Sequence, residues 1–388
     1  MLRFLTAGES HGPQLVVIVE GMPAGFQLDP AAINHELARR QKGYGRGGRM
    51  AIEHDEVRIV AGVRFGETLG SPIALIIENR DFQNWTRRMS VDPADRGAAQ
   101  VVTRPRPGHA DLTGVLKYNR EDIRDILERA SARETAARVA IGGLARQILE
   151  PFGIDLLGYV VSIGRIKAHT PAAMALADLR RITEESQVRV ADPEAERAII
   201  AEIDACKKTG DTLGGVVEVA VTGLPPGLGS HVQWDRKLDG RLGQALLSLQ
   251  AVKGVEVGTG FEAAAMRGSA LHDEIGYDHT ARQFTRSSNN SGGIEGGMST
   301  GEPLVVRVAF KPLSTLMQPL RSVDIRTKAE AVGTIERSDV CAIPAAAVIA
   351  EAVVAFVVAD AFVEKFGGDS LTEIRRNYLG YLEQVKAY

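Results

Sequence analysis

Hydrophobic runs separated by short polar turns predict three β-strands near the start of the chain. The runs LVVIVEG, EVRIVAGV and PIALIIEN occupy residues 15–21, 56–63 and 72–79. They are rich in β-branched residues and lie close to glycine, proline and asparagine, as strands usually do. Residues 29–41 instead have the pattern of a helix, with Asp29 as its N-cap and a proline in its first turn. Strands and helices therefore alternate along this part of the chain.

A second helix is predicted over residues 129–153. Ser131 is followed three residues later by Glu134, which is the pattern of a capping box at a helix N-terminus. Pro151 and Gly153 are expected to end this helix.

Two charged segments, residues 170–186 and 192–210, each open with a capping residue and a proline. They predict a helical excursion over 167–209. The later apolar stretch 343–362 is long enough to cross a membrane, but it contains Glu351 and many alanines. We therefore expect it to be a buried helix, in the core or at a subunit interface.

Two pairs of segments match each other in the same order and predict an internal duplication. Residues 8–25 align without gaps to 210–227, and residues 66–77 align to 297–308, with glycines and prolines at matching positions. Glycine-rich turns can become similar by chance, but two matches in the same order favour duplication over coincidence.

The predicted organisation is thus one domain over residues 1–388, made of pseudo-repeat halves at about 1–165 and 210–365. Ser10-His11 in the first copy corresponds to Thr212-Leu213 in the second. The two copies are therefore expected to contribute unequally to any chemistry.

Composition narrows the class of protein. The chain has 388 residues, 44% hydrophobic and 24% charged, which is typical of a soluble globular protein. Its net charge of −3 argues against general attraction to nucleic acid. Two distant cysteines do not indicate a zinc site or a disulfide framework, and we expect no bound metal. With no visible signal peptide, a cytoplasmic, non-membrane protein is expected.

The segment RRQKGYGRGGRM, residues 39–50, contains five basic residues and no acid. Arg40 lies at the end of the predicted helix, and Arg46 and Arg49 lie in a glycine-rich loop. Arginine forks in such a loop suit phosphate or carboxylate groups. A solvated basic loop and an RNA contact are alternative interpretations of this segment.

Two histidines lie in glycine-containing loops. His11 stands in GESHG and His109 in TRPRPGHAD, where it follows two Arg-Pro steps. Such histidines suit proton transfer, although a hydrogen-bonded structural histidine is the alternative. Arg129 and Arg133 flank the predicted helix start at Ser131, which is either an anion site or an ordinary cap.

Five blocks of sequence together resemble the chorismate synthase family. They are GESHG…GMPAG, RPGHAD, RASARETAARVA, AVKGVEVG and RSDVCAIPAAAVIAE, and the resemblance runs from about residue 3 to about residue 362. Ser338 departs from some members, which have a histidine before the aspartate. The resemblance implies an α+β fold, a β-α-β sandwich with helices between antiparallel sheets, assembled as a homotetramer.

The resemblance also implies a lyase. Members of this family convert 5-enolpyruvylshikimate 3-phosphate to chorismate by 1,4-anti elimination of phosphate, the last step of the shikimate pathway to aromatic amino acids. They require reduced FMN without its net oxidation. No GxGxxG lies between a predicted strand and helix, so NADPH is expected to act only indirectly, through an external flavin reductase.

Residue roles implied by the resemblance fall into three groups. His11 is implied as the general acid near the leaving phosphate, His109 as a proton donor to the reduced flavin, and Asp339 as the group that helps remove the ring proton through flavin N5. Substrate contacts are implied for Ser10, Arg40, Arg46, Arg49, Arg133 and Arg337. Cofactor contacts are implied for Arg129, Ala130, Ser131, Gln250, Ala251, Gly296, Lys311, Pro312, Leu313, Ser314, Thr315 and Arg337.

Two other functions compete with the family interpretation. A serine hydrolase is disfavoured because Ser10 and His11 are adjacent and no GxSxG elbow is present. A phosphate- or RNA-binding protein that uses GYGRGGR is the non-enzyme alternative, and strongly salt-dependent RNA binding without flavin retention would favour it.

Overall fold

The computed structural model describes residues 1–48, 53–171, 174–336 and 338–388. Its helices are α1 Pro30–Gln41, α2 Asp111–Tyr118, α3 Arg124–Ala130, α4 Thr135–Leu149, α5 Leu176–Glu185, α6 Pro193–Thr209, α7 Leu238–Leu247, α8 Gly268–Leu271, α9 Ile343–Phe366 and α10 Leu371–Ala387. Its strands are β1 Arg3–Ala7, β2 Gln14–Glu20, β3 Val57–Ala61, β4 Val63–Arg64, β5 Glu67–Thr68, β6 Ile73–Glu78, β7 Asp155–Ile163, β8 Ile166–Lys167, β9 Gly215–Thr222, β10 Val252–Val257, β11 Ile275–Asp278, β12 Gln283–Arg286, β13 Ile294–Glu295, β14 Met298–Ser299, β15 Leu304–Phe310, β16 Arg321–Val323 and β17 Glu330–Val332.

Two antiparallel sheets enclose a layer of helices. The first sheet has the order β1-β2-β6-β3 and the second β10-β15-β9-β7-β8. Helix α4 packs against β2, and α9 packs against β7 and β9, while α4 and α9 pack against each other. Buried residues of both sheets and these helices form one continuous hydrophobic cluster. The predicted α+β sandwich is confirmed.

The local predictions near the start of the chain are also confirmed. Strands β2, β3 and β6 correspond to the three predicted runs, and alternation along β2 buries Val17 and Val19 while Ile18 is exposed. Helix α1 begins as expected, because the Asp29 side chain accepts a hydrogen bond from Ala31 N over 2.8 Å.

The prediction of one helix over residues 129–153 is wrong. The segment instead contains the end of α3, a short 3₁₀ turn and α4. Ser131 caps the 3₁₀ turn, but Glu134 does not complete a capping box. The Glu134 carboxylate accepts hydrogen bonds from Thr6 Oγ1 over 2.9 Å and from Arg138 Nε over 3.0 Å. These contacts replace the hydrogen bond to the Ser131 backbone that a capping box would have.

The helical excursion between β8 and β9 consists of α5 and α6. Helix α6 begins as predicted, because the Asp192 side chain accepts hydrogen bonds from Glu194 N and Ala195 N. The predicted start of the first helix at Thr170 is wrong, since α5 begins at Leu176. The buried Thr170 hydroxyl has no hydrogen-bond partner among the described residues, so it caps no helix.

Helix α9 is the one described helix long and apolar enough to cross a membrane, and 89% of its most apolar window is buried inside the protein. Glu351, in the middle of the helix, is almost completely buried and is paired with Arg39 and Arg146. Glu351 also accepts a hydrogen bond from Gly158 N over 2.8 Å. The prediction of a buried helix is confirmed, and its location is the core.

The two halves of the chain have the same strand order. The order β1-β2-β6-β3 of the first sheet corresponds to β7-β9-β15-β10 in the second. Along the chain, helices α1 and α7 come after β2 and β9, and helices α4 and α9 come after β6 and β15. This shared order supports the predicted duplication, which we retain as a proposal.

Candidate active site

The loop that contains His11 joins β1 to β2 and lies against the end of α3. Gly8 has a φ of 105°, and a Cβ at this position would collide with the carbonyl oxygen of Gln14. The Glu128 carboxylate accepts a hydrogen bond from His11 N over 2.8 Å and lies 2.9 Å from His11 Nδ1. Ser10 N donates to Glu128 O over 3.0 Å. One residue of α3 therefore holds both Ser10 and His11.

The imidazole of His11 is covered on one face by Trp85. The ring centroids are 4.1 Å apart and the rings are inclined by 28°, which is a stacked arrangement. Arg124 lies over the Trp85 ring at 5.0 Å and donates to the Glu128 carboxylate over 2.8 Å. Burial raises the pKa of Glu128, but hydrogen bonds and charge from His11, together with Arg124, lower it below its usual range. Glu128 is therefore a carboxylate at neutral pH.

Two of the predicted cofactor residues lie beside this loop. Arg129 donates to Gly8 O over 3.0 Å and to Thr6 O over 2.8 Å. Ser131 Oγ donates to Ser10 Oγ over 3.2 Å. The structure thus brings Arg129 and Ser131 next to Ser10 and His11.

His109 is held by a second buried carboxylate. Its Nδ1 lies 2.5 Å from Asp111 Oδ1, and Asp111 also accepts hydrogen bonds from Arg106 N and Nε. Burial raises the pKa of Asp111, but the contacts with His109 and Arg106 lower it far below its usual range. The stable carboxylate makes Nδ1 the donor atom, and Nε2, which lies 3.5 Å from Arg106 Nη2, is the nitrogen of His109 without a carboxylate partner.

The predicted cofactor loop 311–315 lies beside His109. The Lys311 amine donates to Gly108 O, and Arg106 Nη1 donates to Thr315 Oγ1 over 2.9 Å. Thr212 Oγ1 donates to the carbonyl oxygen of Leu313 over 2.7 Å. Thr212, which aligns with Ser10 in sequence, therefore supports the backbone of this loop.

A chain of hydrogen bonds links the two histidine regions. Lys311 N donates to Ala251 O over 2.9 Å, and the neighbouring Gln250 side chain donates to Glu134 over 3.3 Å. Glu134 accepts from Thr6 Oγ1, which in turn accepts a hydrogen bond from Arg129 over 2.7 Å. Predicted cofactor residues of both halves thus belong to one connected network.

Asp339 lies against the arginine-rich loop. Its Oδ1 accepts a hydrogen bond from Gly47 N over 2.6 Å, and its Oδ2 lies 3.1 Å from Arg46 Nε. Arg46 Nη1 donates to the carbonyl oxygen of Arg40 over 3.3 Å. The structure therefore brings together Asp339 and two of the predicted substrate residues.

The other predicted substrate arginines are buried around Asp55. Arg133 Nη1 contacts both Asp55 oxygens, at 2.6 and 2.7 Å, and Arg40 Nη1 lies 3.5 Å from Oδ2. Arg133 Nε donates to Asn79 Oδ1 over 2.8 Å, and the Asn79 amide donates to Gly12 O over 2.7 Å. These contacts connect the arginine cluster to the loop that contains His11.

Arg40 remains a cation in this cluster. Burial lowers its pKa to about 9, with Arg133 and Arg46 acting in the same direction and Asp55 opposing them. At neutral pH the guanidinium is still protonated, so it pairs with Asp55 as a cation.

Comparison with known proteins decides the family. A model of the chorismate synthase family matches residues 2–363. The chain belongs to the chorismate synthase family. It is 61% identical over 389 residues to the chorismate synthase of Symbiobacterium thermophilum, covering 99% of both chains. It is 57% identical over 394 residues to that of Geobacter metallireducens, with full coverage of both. A solved crystal structure of chorismate synthase matches with a TM-score of 0.81 and 44% identity over 100% of this chain and 99% of that one.

The RNA-binding alternative is not supported by this membership. It also conflicts with the geometry of the basic segment, because Arg40 is buried and the Arg46 guanidinium pairs with Asp339. A long nucleic-acid backbone could not follow a segment whose arginines are so deeply enclosed.

Not every residue implied by the family resemblance enters the contacts described above. Arg49 and Arg337 lie outside the described residues. Gly296 lies in the turn between β13 and β14 with a φ of 60°, and none of the contacts described above reaches it. Their roles in this family member stay predictions.

Sequence reasoning missed several residues that hold the site together. Asp111 lies in the same motif as His109, so the spacing of two residues was a usable signal. Glu128 is 117 residues from His11, and Trp85 and Asp55 belong to other segments again. No local pattern links those three to the histidine, because only the tertiary fold brings them together.

Proposed function

We propose that this chain catalyses the 1,4-anti elimination of phosphate from 5-enolpyruvylshikimate 3-phosphate to give chorismate. The observation that carries the proposal is the pair His11 and His109, each with Nδ1 against a buried carboxylate. Each imidazole therefore has one nitrogen fixed and one left to exchange a proton, as an acid–base group needs. Membership of the family supplies the reaction.

The substrate carries a phosphate and two carboxylates, so its binding requires cations. We assign Arg40, Arg46 and Arg133 to these anions, together with Arg49, Arg337 and the Ser10 hydroxyl. Arg133 Nη2 is buried and makes no hydrogen bond among the described residues, and its charge partner Glu53 Oε2 lies 4.0 Å away, which leaves N–H groups for a ligand. Arginine forks suit both phosphate and carboxylate groups.

The donor groups at the site fit reduced FMN. Lys311 and Arg129 offer positive charge for an anionic cofactor, and Ser131 and Ser314 offer hydroxyls. We propose that they hold it with the remaining implied residues, Ala130, Gln250, Ala251, Gly296, Pro312, Leu313, Thr315 and Arg337. When bound, reduced FMN supplies an electron-rich ring beside the substrate without net change of its own redox state.

The chain's own residues then handle protons. We assign His11 Nε2 as the donor of a proton to the departing phosphate, since Nδ1 is occupied by Glu128. We assign His109 Nε2 to hold a proton on the side of the site where the cofactor would bind. Asp339 is assigned to the removal of the ring proton, and its contacts with Gly47 and Arg46 orient its carboxylate.

Anaerobic turnover tests both the activity and the source of electrons. With chemically reduced FMN, the protein should release equal amounts of chorismate and phosphate. With oxidised FMN and NADPH alone, we expect little product until a flavin reductase is added. Turnover with NADPH and no reductase would show that the chain reduces its own flavin, and no product under any condition would overturn the proposed activity.

We further propose a cytoplasmic homotetramer. The outer face of the first sheet exposes Leu5 and Ile18 on adjacent strands, with 73% and 43% of their surfaces accessible, and Val60 at 49%. An apolar sheet face of this kind suits association with a second copy of the chain. Light scattering should give the mass of four chains, and Leu5→Glu should lower it.

A further inference from the structure

We propose that Glu128 is a positioning residue for His11, and that Trp85, which stacks on the imidazole, also holds the ring in place. In this arrangement Glu128 fixes Nδ1 as the donor and places a carboxylate beside the ring, while Trp85 fixes the plane of the ring. The inference rests on the proposed function, in which His11 supplies a proton through Nε2.

The contacts of Glu128 define the orientation of His11. Its carboxylate oxygens lie 2.9 and 3.1 Å from His11 Nδ1, and one of them also accepts a hydrogen bond from His11 N over 2.8 Å. Because the backbone and the ring of one residue bind the same carboxylate, rotation of the ring would break a charge-assisted hydrogen bond. The imidazole is therefore held in one orientation, with Nε2 directed away from α3.

Trp85 restricts the ring in a second direction. Stacking at 4.1 Å covers one face of the imidazole, so a change of its plane would cost this contact. Trp85 is itself fixed by Arg124, which lies over its ring at 5.0 Å and binds both Glu128 and Glu336. Arg124 thus links Trp85 and Glu128, the two side chains that hold the imidazole.

Charged groups around His11 come from several elements. Glu128 on α3 contacts it directly, Arg124 reaches it through both Glu128 and the Trp85 ring, and Arg88 reaches it through that ring. Glu9 precedes it in the same loop, while Arg129 faces the carbonyl of Gly8. Glu128 is the one described acid in contact with the imidazole. Its carboxylate is therefore the negative charge placed directly against the ring.

The matched test replaces the charge while keeping the shape. Glu128→Gln preserves the side-chain volume and removes the charge, Glu128→Asp preserves the charge, and Asp125→Asn removes an exposed carboxylate from the same helix. We expect Glu128→Gln to lower kcat by about tenfold to hundredfold, with a smaller change in substrate KM. The pH above which activity declines should be lower in Glu128→Gln than in the parent, because an opposite charge has been lost. Glu128→Asp should recover part of kcat, and Asp125→Asn should match the parent.

A second readout does not depend on turnover. Nuclear magnetic resonance of the imidazole Cε1–H group, assigned to His11 with His11→Gln, reports ring protonation in the ligand-free protein. The midpoint for His11 should move to lower pH in Glu128→Gln and stay unchanged in Asp125→Asn. Trp85→Leu should lower kcat with little change in this midpoint, since stacking fixes geometry rather than charge.

The possible outcomes separate the inference from the proposed function. If the parent protein shows no turnover but the His11 midpoint shifts in Glu128→Gln as expected, the proposed function fails, while the role of Glu128 in positioning His11 is retained. If the parent is active and Glu128→Gln changes neither the midpoint nor the pH profile, Glu128 is not a positioning residue. If Glu128→Gln does not fold, as shown by loss of its cooperative unfolding transition, Glu128→Asp takes its place in both measurements. The shorter side chain of aspartate should also alter the midpoint of the His11 titration.

Discussion

The hydroxyl groups of Thr68 and Ser299 make the same pair of hydrogen bonds in the two halves of the chain. Each donates to a proline carbonyl oxygen, at Pro23 over 2.7 Å and at Pro225 over 2.6 Å. Each also accepts a hydrogen bond from a nearby backbone N–H, over 3.0 and 2.8 Å. Both hydroxyls are buried. Equivalent turns that keep the same buried polar contacts support descent of the halves from one unit.

This relationship predicts matched costs of substitution. Thr68→Ala and Ser299→Ala should each lower the free energy of unfolding by about 1–3 kcal/mol, because a buried carbonyl oxygen and N–H lose their partner. Thr68→Ser and Ser299→Thr should change it much less, since the hydroxyl is retained. Denaturant unfolding of all four variants provides the comparison. A large cost in one half with none in the other would argue against equivalent turns.

The fold was predictable where the determinants are local. The alternation along β2 and the cap at Asp29 depend on residues close in sequence, and both predictions are confirmed. The predicted capping box at Ser131 failed because Glu134 has distant partners, including Thr6 in β1. The site shows the same division. His11 stands out in its own motif, whereas Glu128 reaches it only through the tertiary fold.

Alanine substitutions test the two histidines. His11→Ala and His109→Ala should each reduce kcat on the order of a hundredfold or more, as expected when an acid–base group is lost. The fold should persist, and His35→Ala, an exposed histidine on α1, should match the parent. Rates with chemically reduced FMN provide the measurement. Near-normal rates for either variant would remove that histidine from the proposed mechanism.

Arg46→Ala tests the arginine-rich loop. The variant should raise substrate KM more than it weakens FMN binding, because the loop is assigned to the substrate anions. It also removes the cation beside Asp339, so kcat should fall as well. The family resemblance predicts the same binding effect for Arg49→Ala. Substrate titration and flavin fluorescence measure the two affinities, and equal losses for both ligands would contradict the assignment.

Glu351 tests the buried charge of α9. Glu351→Ala should lower the free energy of unfolding by about 3–5 kcal/mol, because Arg39 and Arg146 lose a buried partner. The variant should unfold at lower denaturant concentration at neutral pH.

The pH dependence of that difference has a defined sign. Burial raises the pKa of Glu351, but Arg39 and Arg146 lower it below the ordinary value of 4.5. Its contribution to stability is therefore present above pH 4.5 and is lost as the pH falls through the lowered value. The stability difference between the parent and Glu351→Ala should shrink on acidification below pH 4.5. A constant difference would show that packing, rather than charge, explains the loss.

Asp111→Asn tests whether the second buried carboxylate acts through His109. The substitution keeps the shape of the side chain but removes the charge beside His109 Nδ1 and Arg106. We expect kcat to fall on the order of tenfold or more, because the ring loses its fixed donor atom and part of an acid–base contribution of about a hundredfold. Asp111→Asn added to His109→Ala should cost little further, since two residues that act as one unit are not additive. Steady-state rates of the two single variants and the double variant complete this cycle. Fully additive losses would mean that Asp111 supports the site through Arg106 and the loop at Thr315 rather than through the imidazole.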